Sequence, residues 1–389
     1  MNTASPVNLV KGFVAAGVPC GLKDSGAPDL ALVATADGRP VPAAAVFTTN
    51  LAPAAPVQVS RAHLAATGGY ASAVVINSGN ANAATGATGR DHAERMCALV
   101  AEGLGCRREE VLVCSTGLIG IPLPIGAVES GIGPLLAARR ADGLHDAAVA
   151  MMTTDIFAKD VLHHGDGFTV GGIAKGAAML APHMATMLAL LTTDAHATPA
   201  ELHHALTAAV AHSFNDLTVD GATSTNDTVI ALAGGSAGPC PGLADTMGAV
   251  CAELATMMAD GAEGATKRAR IRVTGAASAD DARRAARKIA ESQLVQCSLY
   301  GADPYWGRIM SDLGSSGAAF DPDRVSISYG GTAVCRGGVA CDHDQAAVAA
   351  AMAGRNVDLD ADLGMGDGEA VITTTDLTPA YIAENMRTS

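Results

Sequence analysis

Aromatic side chains are scarce in this chain. Phe, Tyr and Trp together make up 3% of its 389 residues, with a single Trp, although 49% of the residues are hydrophobic. The core must therefore consist of Ala, Val, Leu, Ile and Met packed close to a backbone that contains 44 Gly. At roughly 150 residues per domain, the length allows two or three domains or one large α/β unit.

Positive charge is also in short supply. Lys and Arg number 25 against 39 Asp and Glu, so the net charge is −14. A chain this acidic, with so few aromatic rings, is poorly suited to binding a nucleic acid or an anionic membrane. No stretch approaches the roughly 18 uninterrupted apolar residues of a membrane-spanning helix, and the first ten residues lack the basic start of a signal peptide. We therefore expect a soluble cytoplasmic protein.

The spacings typical of metal sites and disulfide frameworks are missing. The nine Cys are an odd number without a C-x-x-C pair, and the 11 His include no H-E-x-x-H frame. Reduced thiols in a cytosolic compartment are the expectation. The sequence predicts no metal site.

Strand-like and helix-like patterns alternate along the whole chain. The strand-like runs cover residues 71–76, 111–114, 186–192, 228–233 and 270–274. The helix-like runs, with apolar residues at helical spacing, cover 90–104, 243–258 and 281–294. A further helix is predicted after Thr198, because Pro199 and Glu201 complete a capping box, and the last run is predicted to be capped by Asp280 or Asp281. This alternation predicts an α/β or α+β layered fold.

The stretch from Lys175 to Asp194 is the most informative. A Gly-rich lead-in and Ala181-Pro182 precede Thr186, which stands where a buried apolar strand is predicted to begin. If the peptide bond before Thr186 were cut, its α-amino group would lie beside its own hydroxyl. Because that amine has an unperturbed pKa of roughly 7.7–8.0, it could take the hydroxyl proton during attack on a carbonyl. By composition alone, a β-branched residue that starts a strand is the simpler interpretation.

Ordered sequence blocks from near one end of the chain to the other resemble those of one enzyme family. They are Lys11-Gly12-Phe13, Asn77–Ala83, Ser115–Gly120, Met152–Asp155, Ala174–Gly176, Met184–Leu188, Ser213–Asn215, Val219-Asp220, Thr223–Thr228, Glu263–Lys267 and Asp303–Arg308. The blocks M-A-T-M-L, S-T-N-D-T and E-G-A-T-K are highly specific. On these blocks the whole chain is similar to the ArgJ family, the ornithine acetyltransferases (glutamate N-acetyltransferases) of arginine biosynthesis.

The resemblance implies a DmpA/ArgJ-like αββα sandwich, made as one chain that cuts itself between Ala185 and Thr186. Residues 1–185 would form an α chain and residues 186–389 a β chain, and the two would stay together as an α2β2 assembly. Thr186 would accept the acetyl group of N2-acetylornithine as an ester and pass it to glutamate in a ping-pong reaction. No cofactor is implied, and the sequence leaves open whether acetyl-CoA also serves as a donor.

The resemblance also implies the residues of the site. The oxyanion hole would consist of the Thr116 hydroxyl and the Gly117 backbone N–H, in a turn after the strand at 111–114. The substrate-binding positions fall on one Thr of the pair Thr153-Thr154, for which we take Thr153, and on Lys175, Thr186, Glu263, Asn385 and Ser389, with Thr388 as the alternative to Ser389.

Each of these residues also has a simpler interpretation. Lys175 suits the α-carboxylate shared by ornithine and glutamate, and its alternative is a solvated surface lysine. Glu263 suits the ammonium group of an amino acid, and its alternative is a charge at a helix end. The hydroxyl- and amide-rich blocks 77–82 and 223–228 are more typical of side chains that tie turns together and support a site.

Three functional alternatives stay open. The tail after Tyr381 departs from the family pattern, and Thr373-Thr374-Thr375 replaces the usual W-G-C, so a paralogue that acts on another N-acyl amino acid fits the sequence. The same self-cleaving architecture can release an acyl group or an N-terminal residue to water, as in related aminopeptidases. An uncut, non-enzymatic amino-acid-binding protein is the third alternative.

Overall fold

The computed structural model describes residues 10–179 and 187–386, which form two compact units. The first unit comprises residues 10–179, 187–215 and 222–258, and the second comprises 216–221 and 259–386. No helix within these described ranges is both long and apolar enough to cross a membrane.

The first unit contains ten strands and six helices among its described residues. The strands are β1 (Phe13–Val18), β2 (Leu30–Thr35), β3 (Val41–Phe47), β4 (Tyr70–Ala71), β5 (Ala73–Asn80), β6 (Val111–Leu118), β7 (Lys159–His164), β8 (Thr169–Lys175), β9 (Leu188–His196) and β10 (Thr228–Pro239). The helices are α1 (Ala55–Thr67), α2 (Gly86–Leu104), α3 (Ile125–Ala137), α4 (Leu144–Met151), α5 (Pro199–Ala211) and α6 (Leu243–Asp260), whose last two residues belong to the second unit.

These strands form two sheets. The order in the first sheet is β1-β2-β5-β6, and in the second it is β4-β3-β10-β9-β8-β7. The pairs β5–β6 and β9–β10 are parallel, and the other neighbours are antiparallel. Parallel strands end at the same edge of a sheet, so each sheet gathers the ends of two chain segments at one place.

The two sheets share one apolar core, and helices cover their other faces. Alternate residues of both sheets, such as Ile76 and Ile230, meet in this core together with the side chains of α4. Helices α2 and α3 pack on the opposite face of the first sheet. Helix α5 packs against β3 and β10, and α6 lies so close to β8 that a Cβ at Gly172 would be 2.8 Å from Val250. The predicted α/β layered fold, an αββα sandwich, is confirmed.

The second unit is a six-stranded sheet with helices. Its strands are β11 (Arg268–Ala276), β12 (Ser326–Tyr329), β13 (Thr332–Arg336), β14 (Val339–Ala340), β15 (Asn356–Asp362) and β16 (Gly368–Thr375), in the order β14-β13-β12-β15-β11-β16. Its helices are α7 (Ala279–Ala290), α8 (Gln293–Tyr300), α9 (Gly307–Ser315), α10 (Gln345–Ala353) and α11 (Pro379–Asn385). Alternate residues of β11, such as Ile271 and Val273, pack against the Ala-rich face of α7.

Several local predictions are confirmed and two are wrong. The capping box at Thr198 and Glu201 begins α5 as predicted. The helix predicted over 281–294 instead begins at Ala279, with the Ser278 hydroxyl as its cap, and ends at Ala290 before a separate helix, α8. The strand predicted at 111–114 continues to Leu118, so Thr116 and Gly117 lie in a strand and not in a turn.

Candidate active site

Thr116 and Gly117 lie near the end of β6, where it pairs with β5. Thr116 is opposite Ser78 and is buried, with 3% of its surface exposed. Gly117 is opposite Gly79 and has a φ of +131°, and a Cβ there would be 2.3 Å from the carbonyl carbon of Gly79. Only glycine permits this conformation and this close approach of the two backbones. The glycine at position 117 therefore determines the backbone conformation at the predicted oxyanion hole.

Amide side chains join the ends of β5 and β6 to the loop before β10. Ser115 Oγ donates to Asn77 Oδ1 (2.6 Å), and Asn77 Nδ2 donates to the backbone oxygen of Asn80 (2.8 Å). Asn226 Nδ2 donates to the backbone oxygens of Ala81 (2.6 Å) and Ser115 (2.9 Å). All these side chains are buried. Side chains of the blocks 77–82 and 223–228 tie turns together as predicted, and their support of a catalytic site stays a prediction.

Lys175 ends β8, opposite Leu188, the first residue of β9. Only 3% of its surface is exposed, so the alternative of a solvated surface lysine is wrong. Asp155 and Asp227 both lie close enough for their pKa values to feel its charge. The structure thus places the predicted carboxylate-binding cation in a buried, charged environment beside the start of β9.

Asp155 organises the residues around Lys175. Its Oδ1 accepts hydrogen bonds from Lys159 Nζ (2.5 Å) and from the backbone N–H of Gly176 (2.8 Å), and its Oδ2 accepts one from the backbone N–H of Thr153 (3.1 Å). Burial alone would raise the pKa of Asp155, but Lys175, Lys159 and the amide of Gly176 lower it to about 2. Asp155 therefore links two predicted substrate-binding positions, Thr153 and Lys175, through the backbone.

Asp227 is a second buried carboxyl group, at the start of β10. None of its surface is exposed, and its Oδ1 accepts a hydrogen bond from the backbone N–H of Met187 (2.9 Å). Its Oδ2 has no hydrogen-bond partner among the described residues. Burial raises the pKa of this carboxyl well above its ordinary value, although the amide of Met187 and the charge of Lys175 act in the opposite direction.

Sequence reasoning assigned no role to Asp155 and only a supporting role to the block 223–228, which contains Asn226 and Asp227. All three stand inside the blocks M-T-T-D and S-T-N-D-T that carry the family resemblance. The sequence did offer one indication of these roles: each residue is an acid or amide in such a block, next to a predicted buried strand. Their hydrogen bonds join segments that are far apart in the sequence, so the contacts themselves could not be read from it.

Glu263 and Asn385 are brought together in the second unit. Asn385 Nδ2 donates to Glu263 Oε2 (2.8 Å) and to the backbone oxygen of Tyr381 (3.0 Å). The Tyr381 hydroxyl donates to Asp220 Oδ2 (3.1 Å), and burial together with the charge of Asp220 raises the pKa of this tyrosine. Asn385 is exposed and Glu263 is buried. The amide of Asn385 therefore faces solvent while it binds the buried carboxylate of Glu263.

Part of the predicted site lies outside the described residues. These are Ala185 and Thr186 at the predicted cleavage position, and Thr388 and Ser389 at the end of the chain. Within the described ranges, no group of three or more His, Cys, Asp or Glu side chains is arranged to hold a metal ion.

Comparisons with known proteins agree with the sequence blocks. A family model described as the ArgJ family matches residues 14–388. The chain is 45% identical over 377 residues to the arginine biosynthesis bifunctional protein ArgJ of Thermobifida fusca, with 96% of this chain and 97% of that protein covered. It is 46% identical over 393 residues to the protein of the same name from Mycobacterium bovis, with 98% and 96% covered.

Solved structures similar to this chain include an ornithine acetyltransferase and a protein named ArgJ. A chain of ornithine acetyltransferase from Mycobacterium tuberculosis, complexed with ornithine, is 44% identical, and the match covers 44% of this chain and 92% of that chain with a TM-score of 0.42. A chain of the arginine biosynthesis bifunctional protein ArgJ from Bacillus halodurans is 32% identical, with 50% and 96% covered and a TM-score of 0.48.

Proposed function

This chain belongs to the ArgJ family, and we propose that it transfers the acetyl group of N2-acetylornithine to glutamate, which gives ornithine and N-acetylglutamate for arginine biosynthesis. The relatives that it matches over nearly their full length are named bifunctional. We therefore include acetyl-CoA as a second acetyl donor to glutamate. The proposed intermediate is an acetyl ester on Thr186, formed after the chain has cut itself between Ala185 and Thr186.

One observation carries this proposal. The adjacent residues Asn226 and Asp227 hold two segments at the same place: Asn226 binds the backbone of Ser115, which precedes Thr116, and Asp227 binds the backbone of Met187, which follows Thr186. Each predicted reactive residue is thus one residue away from a fixed backbone contact. A nucleophile and an oxyanion hole need this proximity, because catalysis depends on donors placed in advance around the reacting carbonyl.

The reaction uses one nucleophile twice. The Thr186 hydroxyl attacks the acetyl carbonyl of N2-acetylornithine, and its proton passes to the α-amino group of the same residue. The Thr116 hydroxyl and the Gly117 N–H stabilise the oxyanion. The carbon–nitrogen bond then breaks, the proton leaves with ornithine, and the amine of glutamate attacks the ester by the same steps in reverse. One preorganised donor of this kind is typically worth about 3–4 kcal/mol of barrier.

We assign substrate recognition to charged residues. We assign Lys175 to the α-carboxylate of ornithine and glutamate, since it is a buried cation of opposite charge to that carboxylate. We assign the held carboxylate of Glu263, with Asn385, to an ammonium group of the amino acid. Thr153 and Ser389 complete the proposed set of substrate contacts.

The test is the intact mass of the purified protein before and after incubation with N2-acetylornithine. We expect two fragments, 1–185 and 186–389, and an acetyl adduct only on the fragment that begins with Thr186. Thr186→Ala should stay uncut and inactive, while Thr186→Ser, which keeps a hydroxyl, should be cut and turn over weakly. A cut Thr186→Ala chain, or an adduct on the other fragment, would overturn the assignment of the nucleophile.

The same preparation separates the remaining alternatives. Release of acetate without glutamate would identify a hydrolase, and a fragment pair that transfers acetyl groups from other N-acetyl amino acids in preference to N2-acetylornithine would identify a paralogue with another substrate. An uncut chain near 39 kDa that binds amino acids would identify a binding protein.

We also infer a cytoplasmic α2β2 assembly, which a solution mass of twice the chain mass would support.

A further inference from the structure

Asp227 differs from the other buried carboxyl groups of the first unit in how few donors it meets. Asp29 accepts four backbone N–H groups, from Cys20, Gly21, Leu22 and Lys23. Asp155 accepts two backbone N–H groups and an ammonium group. Asp227 accepts one hydrogen bond of normal geometry, from the backbone N–H of Met187, and its second oxygen has no such partner among the described residues, although the hydroxyl and N–H of Ser224 lie near enough to favour its ionised form. An ionised carboxylate buried with so few donors is costly, whereas a neutral carboxylic acid is not.

The hydrogen bond to Asp227 comes from the backbone N–H of Met187, whose nitrogen forms the peptide bond with Thr186, the proposed nucleophile. That nitrogen is 2.9 Å from Asp227 Oδ1. A negative charge on Asp227 would raise the pKa of a nearby amine and reduce its free-base fraction.

We propose that Asp227 is a positioning residue for Thr186 that acts through the amide of Met187 as a neutral carboxylic acid. The inference rests on the proposed function, since it requires Thr186 to be the nucleophile. The hydrogen bond to Met187 fixes the backbone on one side of the hydroxyl and amine. The neutral state leaves the amine able to serve as the base near neutral pH.

The charges around Asp227 are consistent with this state. Lys175, at the end of β8, is the cation that acts on the carboxyl, and it favours ionisation. Asp155 acts on the same lysine and is itself ionised, because its pKa is about 2. Burial outweighs the charge of Lys175 and raises the pKa of Asp227 well above its ordinary value.

The first test reads the proton directly in the wild-type chain by infrared spectroscopy at pH 7. We expect a carbonyl band of a protonated carboxylic acid that disappears in Asp227→Asn. The matched control is Asp155→Asn, which removes an ionised carboxylate and should leave the band in place. A spectrum without the band in the wild type, or a band that persists in Asp227→Asn, would overturn the neutral state. This readout does not depend on activity, so its failure is distinct from a failure of the proposed acetyl transfer.

The second test separates the hydrogen bond from the proton. Asp227→Asn keeps an oxygen that can accept from Met187 and has no charge, so it should be cut and keep the acidic limb of kcat/KM within about 0.3 pH unit of the wild type. Asp227→Leu has a similar shape but accepts no hydrogen bond, and its kcat should fall about 100-fold with KM changed less than about threefold.

Two outcomes would contradict the positioning role. An acidic limb that moves down by about one unit in Asp227→Asn would show that the wild-type carboxyl is charged. A wild-type kcat in Asp227→Leu would show that the contact with Met187 does not position the nucleophile. If Asp227→Leu does not fold, the infrared band and the profile of Asp227→Asn still decide the proposal.

Discussion

The predicted site residues form two groups that are built differently, a reaction end in the first unit and a substrate end in the second. Around Thr116 and Gly176 the first unit uses buried side chains that bind backbone groups from distant segments. Around Glu263 and Asn385 the second unit uses one hydrogen bond from an exposed amide on the last helix, α11. Buried networks tolerate little change, because any lost partner leaves an unsatisfied group. An exposed amide can be replaced at little cost in stability.

This difference fits the pattern of departures from the family. The blocks at the reaction end resemble those of the family, while the tail after Tyr381 departs from the family pattern except at Asn385. Chemistry that is common to all members needs one fixed geometry, whereas substrate choice can be adjusted at an exposed end. We therefore expect the buried residues around Thr116 to control kcat and stability, and Glu263 and Asn385 to control KM.

The largest expected effect is at the buried ion pair of the reaction end. Asp155→Asn should lower the free energy of unfolding by about 3–5 kcal/mol, because it leaves Lys159 buried without its carboxylate. Denaturant titration measures this. The matched control is the exposed pair of Arg272 and Glu369 in the second unit, where Glu369→Gln should cost much less because solvent screens the pair. An equal loss of unfolding free energy in the two variants would show that the buried and the exposed pair stabilise the fold equally, which contradicts the prediction.

The second effect concerns the backbone at Gly117. Gly117→Ala should lower kcat about 100-fold and slow the self-cleavage, because its Cβ would collide with the backbone of Gly79 and shift the oxyanion donors. Gly120→Ala is the control: its φ is also positive, at +82°, but no atom lies within 4 Å of the added Cβ. Comparable losses of kcat in both variants would attribute the effect to backbone strain and not to the oxyanion hole.

The third effect is the acid sensitivity of the reaction end. Asp155 has a folded pKa of about 2 against about 3.9 in an unfolded chain, so its contribution of about 2–3 kcal/mol is complete above pH ~4 and is lost as the pH falls toward 2. The difference in unfolding free energy between the wild type and Asp155→Asn should shrink across this window. A difference that stays constant from pH 6 to pH 2 would mean that the carboxylate charge does not stabilise the fold.

The smallest effect is expected at the substrate end. Asn385→Ala should raise KM for N2-acetylornithine about tenfold, with kcat and self-cleavage unchanged, because it removes the donor that holds Glu263. Glu384→Ala, at the neighbouring exposed position of α11, should leave KM unchanged. A fall in kcat without a change in KM for Asn385→Ala would show that this residue acts in the reaction and not in substrate binding.

Features set by neighbouring residues could be predicted from the sequence. Thr198, Pro199 and Glu201 define the start of α5 because a capping box is formed within one helical turn. Period-two apolar patterns placed β10 and β11 correctly within a few residues. The family resemblance brought Glu263 and Asn385 into one set, and the structure puts them in contact although 122 residues separate them.

Features set by distant contacts could not be predicted. The polar residues Ser115 and Thr116 suggested the end of a strand, yet β6 continues because parallel pairing with β5 and the amide of Asn226 satisfy these groups. The neutral state of Asp227 depends on burial among several strands, which no local pattern reports. The roles of Thr186 and Ser389 stay predictions, since both lie outside the described residues.

The strand order of the second sheet has a consequence for the proposed self-cleavage. Strands β9 and β10 come after the proposed cut, and they stand in the middle of the sheet, flanked by β3 on one side and β8 on the other. Both flanking strands come before the cut. After cleavage, the later fragment would still be hydrogen-bonded to the earlier fragment along two strand pairs, β3–β10 and β8–β9, and both pairs would have to open before the fragments could separate. Cleavage at this position would therefore create a new terminus without releasing a fragment.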